Sequence, residues 1–282
     1  SSSYVRFGDL TLNSNGAIII SSGAQLRAWG TGVTTALILN GTISGLGQIV
    51  NDSELNVSGS GSFGSSIKVW VANVLNINSM TLEFANEFKL NSNCYINSGS
   101  NVTFSGTVFS TSAVNRLINV ATLTISTSNF FTTGSGSTSQ ILECNNYNPS
   151  NSNIIYTLNG ELPVPQDGFH DLTINGTVTS GSSFNITGNF SNSGSFSSLN
   201  PGNTITFNGP SDQTINGGGT NNFKNLLFSN SSSTSKLIIS NITLNIDESM
   251  ESSSGILNQN GGNIILKSSA SSTSGIIKVN SS

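Results

Sequence analysis

Phe169-His170-Asp171-Leu172-Thr173-Ile174-Asn175 repeats a pattern already present as Phe7-Gly8-Asp9-Leu10-Thr11-Leu12-Asn13 and met again, more loosely, as Phe223-Lys224-Asn225-Leu226-Leu227-Phe228. Two of these copies follow, within about fifteen residues, a second shared element: Tyr156-Thr157-Leu158-Asn159-Gly160 and Ile205-Thr206-Phe207-Asn208-Gly209. Self-similarity of this kind marks a solenoid or array, in which one unit cannot bury its apolar face alone and stacked units can.

Outward from the repeats, apolar residues alternate with polar ones in short bursts. Leu55-Asn56-Val57, Val69-Trp70-Val71, Leu75-Asn76-Ile77, Leu123-Thr124-Ile125 and Ile242-Thr243-Leu244-Asn245-Ile246 all have period two, the signature of half-buried strands. Asn40-Gly41, Asn159-Gly160, Asn175-Gly176, Asn208-Gly209, Asn216-Gly217 and Asn260-Gly261 close such bursts, and positive φ is expected of the glycines at these corners. Helical periodicity is absent; the best candidate, Leu82 to Leu90, alternates as well as it spirals. Strand starts lie roughly 14 to 27 residues apart, one solenoid turn of two or three short strands. The expected fold is all-β, a parallel β-solenoid (β-helix) with short strands and Asn/Gly corners; the alternative is a pair of antiparallel β-sandwich domains. Proline-rich and asparagine-rich residues 146–168 read as a seam between an N-terminal solenoid segment, 1–145, and C-terminal solenoid repeats, 169–282, unless the stack runs through as one solenoid.

Composition fits this reading. Of 282 residues, 53 are Ser, 40 Asn, 30 Gly and 27 Thr, which alone would suggest disorder, but the ordered alternation argues for a folded chain whose polar residues fill outward positions and corners. Asn or Ser at equivalent corners is expected to form side-chain ladders between coils. Charged residues make 8%, against about a quarter in an average globular chain. Nine Lys plus Arg and a net charge of −4 leave no basic stripe for nucleic acid or anionic membrane, and no apolar run is long enough to cross a bilayer as a helix. Ser1 opens on neither a charged nor an apolar leader, so an export signal is expected to have been removed.

Residues able to do chemistry are few. His170, the one histidine, falls where the other repeat copies carry Gly8 and Lys224, and reads as an exposed strand residue. Asp52 with Glu54, Glu83 with Glu87, and Asp167 with Asp171 are too sparse for paired-carboxylate catalysis. Asp247-Glu248 with Glu251 is the densest group, yet lacks the spacing of a calcium loop and reads as a solvated corner. No catalytic residue, metal site or cofactor is expected. Cys94 and Cys144 either form one disulfide, closing a loop of about fifty residues, or are two buried thiols. Trp29 and Trp70, with Tyr95 and Tyr147, are candidates for a sugar-stacking platform if they share an exposed face.

The run from Asn203 to Asn230, with Thr204-Ile205-Thr206-Phe207-Asn208-Gly209, then Gln213-Thr214-Ile215, then Gly217-Gly218-Gly219 and Phe223-Lys224-Asn225-Leu226, resembles repeats of large secreted and cell-surface proteins of Bacteroidetes-type bacteria, adhesin-like or fibre-like chains associated with type IX secretion. The likeness covers about 130 residues from Tyr156 onward, with an echo at Phe7 to Asn13. It implies an extracellular or cell-surface polypeptide with a solenoid body and no catalytic centre. The function expected is a non-enzymatic filament subunit or adhesin segment. Its partner would be a second copy of itself, end to end or by strand exchange, since both Ser-rich ends lack a capping helix. The alternative is a carbohydrate-binding module contacting glycans or a cell surface.

Overall fold

The computed structural model describes residues 3–30, 34–110, 116–119, 121–127, 130–132, 142–143, 152–165, 167–230, 232–266 and 276–279, and among these there is no helix. The chain divides into two compact units, Ser1–Glu143 and Cys144–Ser282. Each is a parallel β-solenoid.

In the first unit every coil has three sides. Sheet I stacks Tyr4–Phe7, Gln25–Ala28, Gln48–Asn51, Lys68–Val71, Phe88–Leu90, Val108–Ser110 and Phe130–Thr132. Sheet II stacks Leu10–Leu12, Thr35–Leu39, Leu55–Ser58, Leu75–Asn78, Cys94–Ile96, Leu117–Asn119 and Leu142–Glu143. The third side runs from Ala17–Ile20 through Thr42–Gly45 to Ser62–Phe63, and separately through Thr81–Phe84, Asn101–Phe104 and Thr122–Ile125. Every strand pairing is parallel, with each residue over its equivalent one coil away, as in Leu75 over Leu55 and Cys94 over Leu75. The sandwich alternative is therefore excluded; the only antiparallel contact described is an isolated bridge between Ser240 and Gly261. The stretch Leu82 to Leu90, the nearest to a helical pattern in the sequence, falls in two strands, Thr81–Phe84 and Phe88–Leu90.

The second unit repeats the plan. Asn153–Tyr156, Asp171–Ile174, Phe190–Asn192, Gln213–Asn216, Lys236–Ser240 and Ile256–Asn260 stack on one side. The long strands Thr220–Ser229 and Thr243–Ser254 pair across both remaining sides, with a register shift between Phe223 and Asn225 where the pairing moves from one side to the next. Residues 152–165 belong to this unit: Tyr156 is fully buried and its hydroxyl donates to Pro163 O at 2.7 Å.

Alternation sets the core. Leu55, Val57, Leu75, Ile77, Val102, Phe104, Leu172, Ile174, Ile205 and Phe207 are all at most 3% exposed, while the residues between them face outward. Phenylalanines stack coil on coil: Phe84 on Phe104 at 5.1 Å, and Phe196 within 6.1 Å of Phe184, Phe190 and Phe223. Stacked and edge-to-face pairs of this kind add about 0.5–1.5 kcal/mol beyond the area they bury.

The repeat that revealed the fold is a corner unit rather than a single side. Phe7 ends a strand of sheet I and Leu10 starts one of sheet II, whereas Phe223 and Leu226 flank the bend inside one long strand. Asp9 and Asp171, aligned by the motif, do the same work: their Oδ1 atoms accept the backbone N–H of Ala36 (2.9 Å) and Asn189 (2.6 Å) one coil on. Asn159, Asn189 and Asp212 do so for Thr177, Thr214 and Lys236. Such bonds satisfy N–H groups that the ladder leaves orphaned at a corner.

Two expectations change. Not all Asn faces outward: Asn119, Asn192 and Asn221 are fully buried, because an inner corner has backbone groups that only a side-chain amide can reach. Asn192 Nδ2 donates to Asn221 Oδ1 at 2.7 Å and Thr220 O at 3.0 Å, and its Oδ1 accepts Gly194 N–H at 2.9 Å. The corner glycines also split. Gly160, Gly217 and Gly261 have positive φ, but Gly41, Gly176 and Gly209 are glycine because a Cβ would lie within 2.1 Å of a carbonyl oxygen in the coil below.

Candidate functional site

The outer face of sheet I differs from the rest of the surface in what it displays. Register puts Tyr4, Gln25, Gln48 and Lys68 in one outward row, and Arg6, Arg27, Val50, Trp70 and Lys89 in the next. The inward residues between these rows, Leu26, Ile49 and Val69, anchor the strands in the core. Trp29 follows directly on the Gln25–Ala28 strand and stands on the same face, with the Arg6 guanidinium 4.0 Å from its ring centroid and 4.9 Å from that of Tyr4. At the other end of the row Lys89 Nζ lies 4.3 Å over the Trp70 ring. Val50, although outward, is 1% exposed, roofed by its neighbours Arg27 and Trp70. The indole N–H of Trp70 is buried without a hydrogen-bond partner.

Charge on this face is partly neutralised. Arg27 forms a fork with Asp52, Nε to Oδ2 at 2.6 Å, and also donates from Nη1 to Gln25 Oε1 at 2.9 Å. The hydrogen bond to Asp52 raises the guanidinium pKa further above its ordinary value, so Arg27 stays charged at any working pH. Lys68 lies 3.6 Å from Glu87. Arg6 and Lys89 have aromatic rings rather than carboxylates as neighbours.

Trp29 and Trp70 thus share one face. Two rungs and two residues separate them, about 12 Å between backbones at strand spacings. Tyr95 lies on sheet II, away from them, and Tyr147 is outside the described residues. The cations were missed in the sequence although a signal was there: Arg6, Arg27, Lys68 and Lys89 recur at steps of 21, 41 and 21 residues, one or two coils each.

The other candidates have structural occupations. His170 is half-buried at a corner, not exposed on a strand, because its neighbour Phe169 turns into the core; its Nδ1 lies 3.1 Å from Thr187 Oγ1. Burial holds its pKa below the ordinary value, with nearby Asp171 acting in the opposite direction. In the acidic group, Asp247 pairs with Lys224 at 3.0 Å, and Glu248 Oε2 accepts from Gly202 N–H and Asn225 Nδ2, both at 2.9 Å. Glu83 accepts from Ser105 Oγ and Glu54 from Asn76 Nδ2. Among the described residues no cluster of three or more His, Cys, Asp and Glu is placed to hold a metal. Cys94 is a fully buried free thiol, its pKa pushed far up by desolvation, and Cys144 lies outside the described residues. Among the described residues no helix is long and apolar enough to cross a membrane.

Comparison with protein-family models, with curated proteins and with solved structures returns no match.

Proposed function

We propose that the chain is a non-enzymatic structural segment of an extracellular surface or fibre protein, and that it works by stacking coil on coil with a second copy of itself. One observation carries this: the coil of Tyr4–Ile20 presents apolar side chains that a further coil would cover. Val5 is 67% exposed where its register partner Leu26 is 6%; Phe7, Leu10, Leu12 and Ile18 are half-buried where Ala28, Leu37, Leu39 and Ile43 are fully buried. Between these side chains lies an apolar depression of about 530 Å³. In the second unit, Leu257, Ile264 and Leu266 are likewise half-buried over fully buried Leu237, Leu244 and Ile246. A coil with open backbone groups and an unroofed core accepts another coil. The resemblance to secreted adhesin-like and fibre-like repeats supports the extracellular setting, and the low charge limits repulsion between copies.

Sedimentation velocity over a wide concentration range tests it. The chain is expected to form a growing ladder of oligomers, and Val5→Lys with Ile18→Lys is expected to return it to monomer without changing its circular dichroism. A wild-type chain that stays monomeric at the highest concentration overturns the proposal. The carbohydrate-binding reading has its own support in the shared face of Trp29 and Trp70.

A further inference from the structure

We propose that the outer face of sheet I is a binding track for an anionic polysaccharide, a uronate-bearing glycan lying along the solenoid axis. The proposal rests on the carbohydrate-binding reading and is independent of end-to-end assembly.

Distribution is the first argument. The chain has nine Lys and Arg and two Trp, with a net charge of −4, yet four of the cations and both tryptophans stand on this one face. A random scatter over two units does not put them there, and the core does not need them, because each points away from it.

Chemistry is the second. A pyranose ring has an apolar C–H face that packs on an indole, while its carboxylate requires a cation with a free edge. Arg6 Cζ lies over Trp29, 4.0 Å from the ring centroid, and a guanidinium held against a ring rather than a carboxylate keeps N–H groups for a bidentate carboxylate ligand. Lys89 over Trp70 repeats the combination at the other end of the row, four rungs or about 19 Å further along. Between them Gln25 and Gln48, joined by an amide hydrogen bond at 3.3 Å, offer donors and acceptors suited to sugar hydroxyls.

Direction is the third. The rows run across the strands, parallel to the stack of coils, so the matching ligand is a linear polymer. With Arg27 and Lys68 held by Asp52 and Glu87, Arg6 and Lys89 supply a surplus of two positive charges. That suits one carboxylate per sugar at widely spaced subsites better than the dense phosphates of a nucleic acid.

Isothermal titration and affinity electrophoresis with polygalacturonate, a neutral mannan and poly(U) decide the matter, on the wild type and on Val5→Lys with Ile18→Lys, so that loss of assembly leaves the glycan result readable. Polygalacturonate is expected to bind, weakening with added salt. Arg6→Gln, Lys89→Gln and Trp29→Ala are each expected to weaken it at least tenfold with an unchanged melting temperature, and Arg6→Lys to restore only part of the loss. Equal binding of mannan, preferential binding of poly(U), binding unaffected by the three variants, or no binding at all overturns the proposal.

Discussion

Replacing Gly194 by alanine tests the close stacking of corners on which the solenoid depends. A Cβ on Gly194 would lie 2.0 Å from Gly176 O and 2.8 Å from its carbonyl carbon, where ordinary contact begins near 3.4 Å. The two coils must therefore part by more than about 1 Å at that corner, since the obstacle is backbone and cannot rotate away. Four hydrogen bonds meet there: Ser195 N–H to Gly176 O at 2.9 Å, Thr220 N–H to Gly194 O at 3.0 Å, and Gly194 N–H shared between Asn192 Oδ1 at 2.9 Å and Ile174 O at 3.4 Å. Losing one or two of them, with a buried group left unsatisfied, costs about 2–4 kcal/mol. Gly218 is the internal control, because a Cβ there meets nothing within 4 Å. Gly218→Ala is expected to shift stability by less than about 1 kcal/mol, in the stabilising direction if the unfolded chain loses freedom. Urea unfolding followed by circular dichroism measures both. Equal midpoints for the two variants would refute the reasoning.

Two further outcomes follow from burial. Cys94, whose thiol is pushed far up by desolvation, is expected to resist iodoacetamide in the folded protein and to label on unfolding, as read by peptide mass mapping; equal labelling in both states would contradict its placement. His170 has a depressed pKa in the folded state, so on acidification the unfolded chain takes up its proton first. The stability tied to neutral His170 is full above about pH 6.5 and is lost as pH falls through the folded-state pKa. His170→Asn is expected to flatten that part of the urea-midpoint profile, and an unchanged slope would dismiss the effect.

The fold was legible because the physical rule behind it is local. In Leu55-Asn56-Val57 the period of two separates a buried row from an outer one without reference to any distant residue, and the same rule holds at Ile205-Thr206-Phe207. Parallel stacking was legible from the repeats, whose apolar positions need a partner coil. Corners were less so. Asn175-Gly176 and Asn216-Gly217 look alike in sequence, yet Gly176 is required only by a carbonyl oxygen 1.9 Å from its missing Cβ, whereas Gly217 combines such a carbonyl, at 2.2 Å, with a φ of 108°. Buried Asn192 is likewise indistinguishable from exposed Asn200, because what buries it is the corner of the next coil. On the outer face of sheet I, Trp29 and Trp70 were visible as residue types. Their alignment with Arg6 and Lys89 depends on coil lengths that vary, so only the register reveals the row.

Fibre diffraction from oriented, concentrated protein tests the central claim most directly, because it reads both the stack and its propagation. Coils joined end to end put the strands perpendicular to the fibre axis and predict fibres with a meridional reflection near 4.8 Å. Particles without fibres, or fibres whose 4.8 Å reflection lies off the meridian, would contradict it.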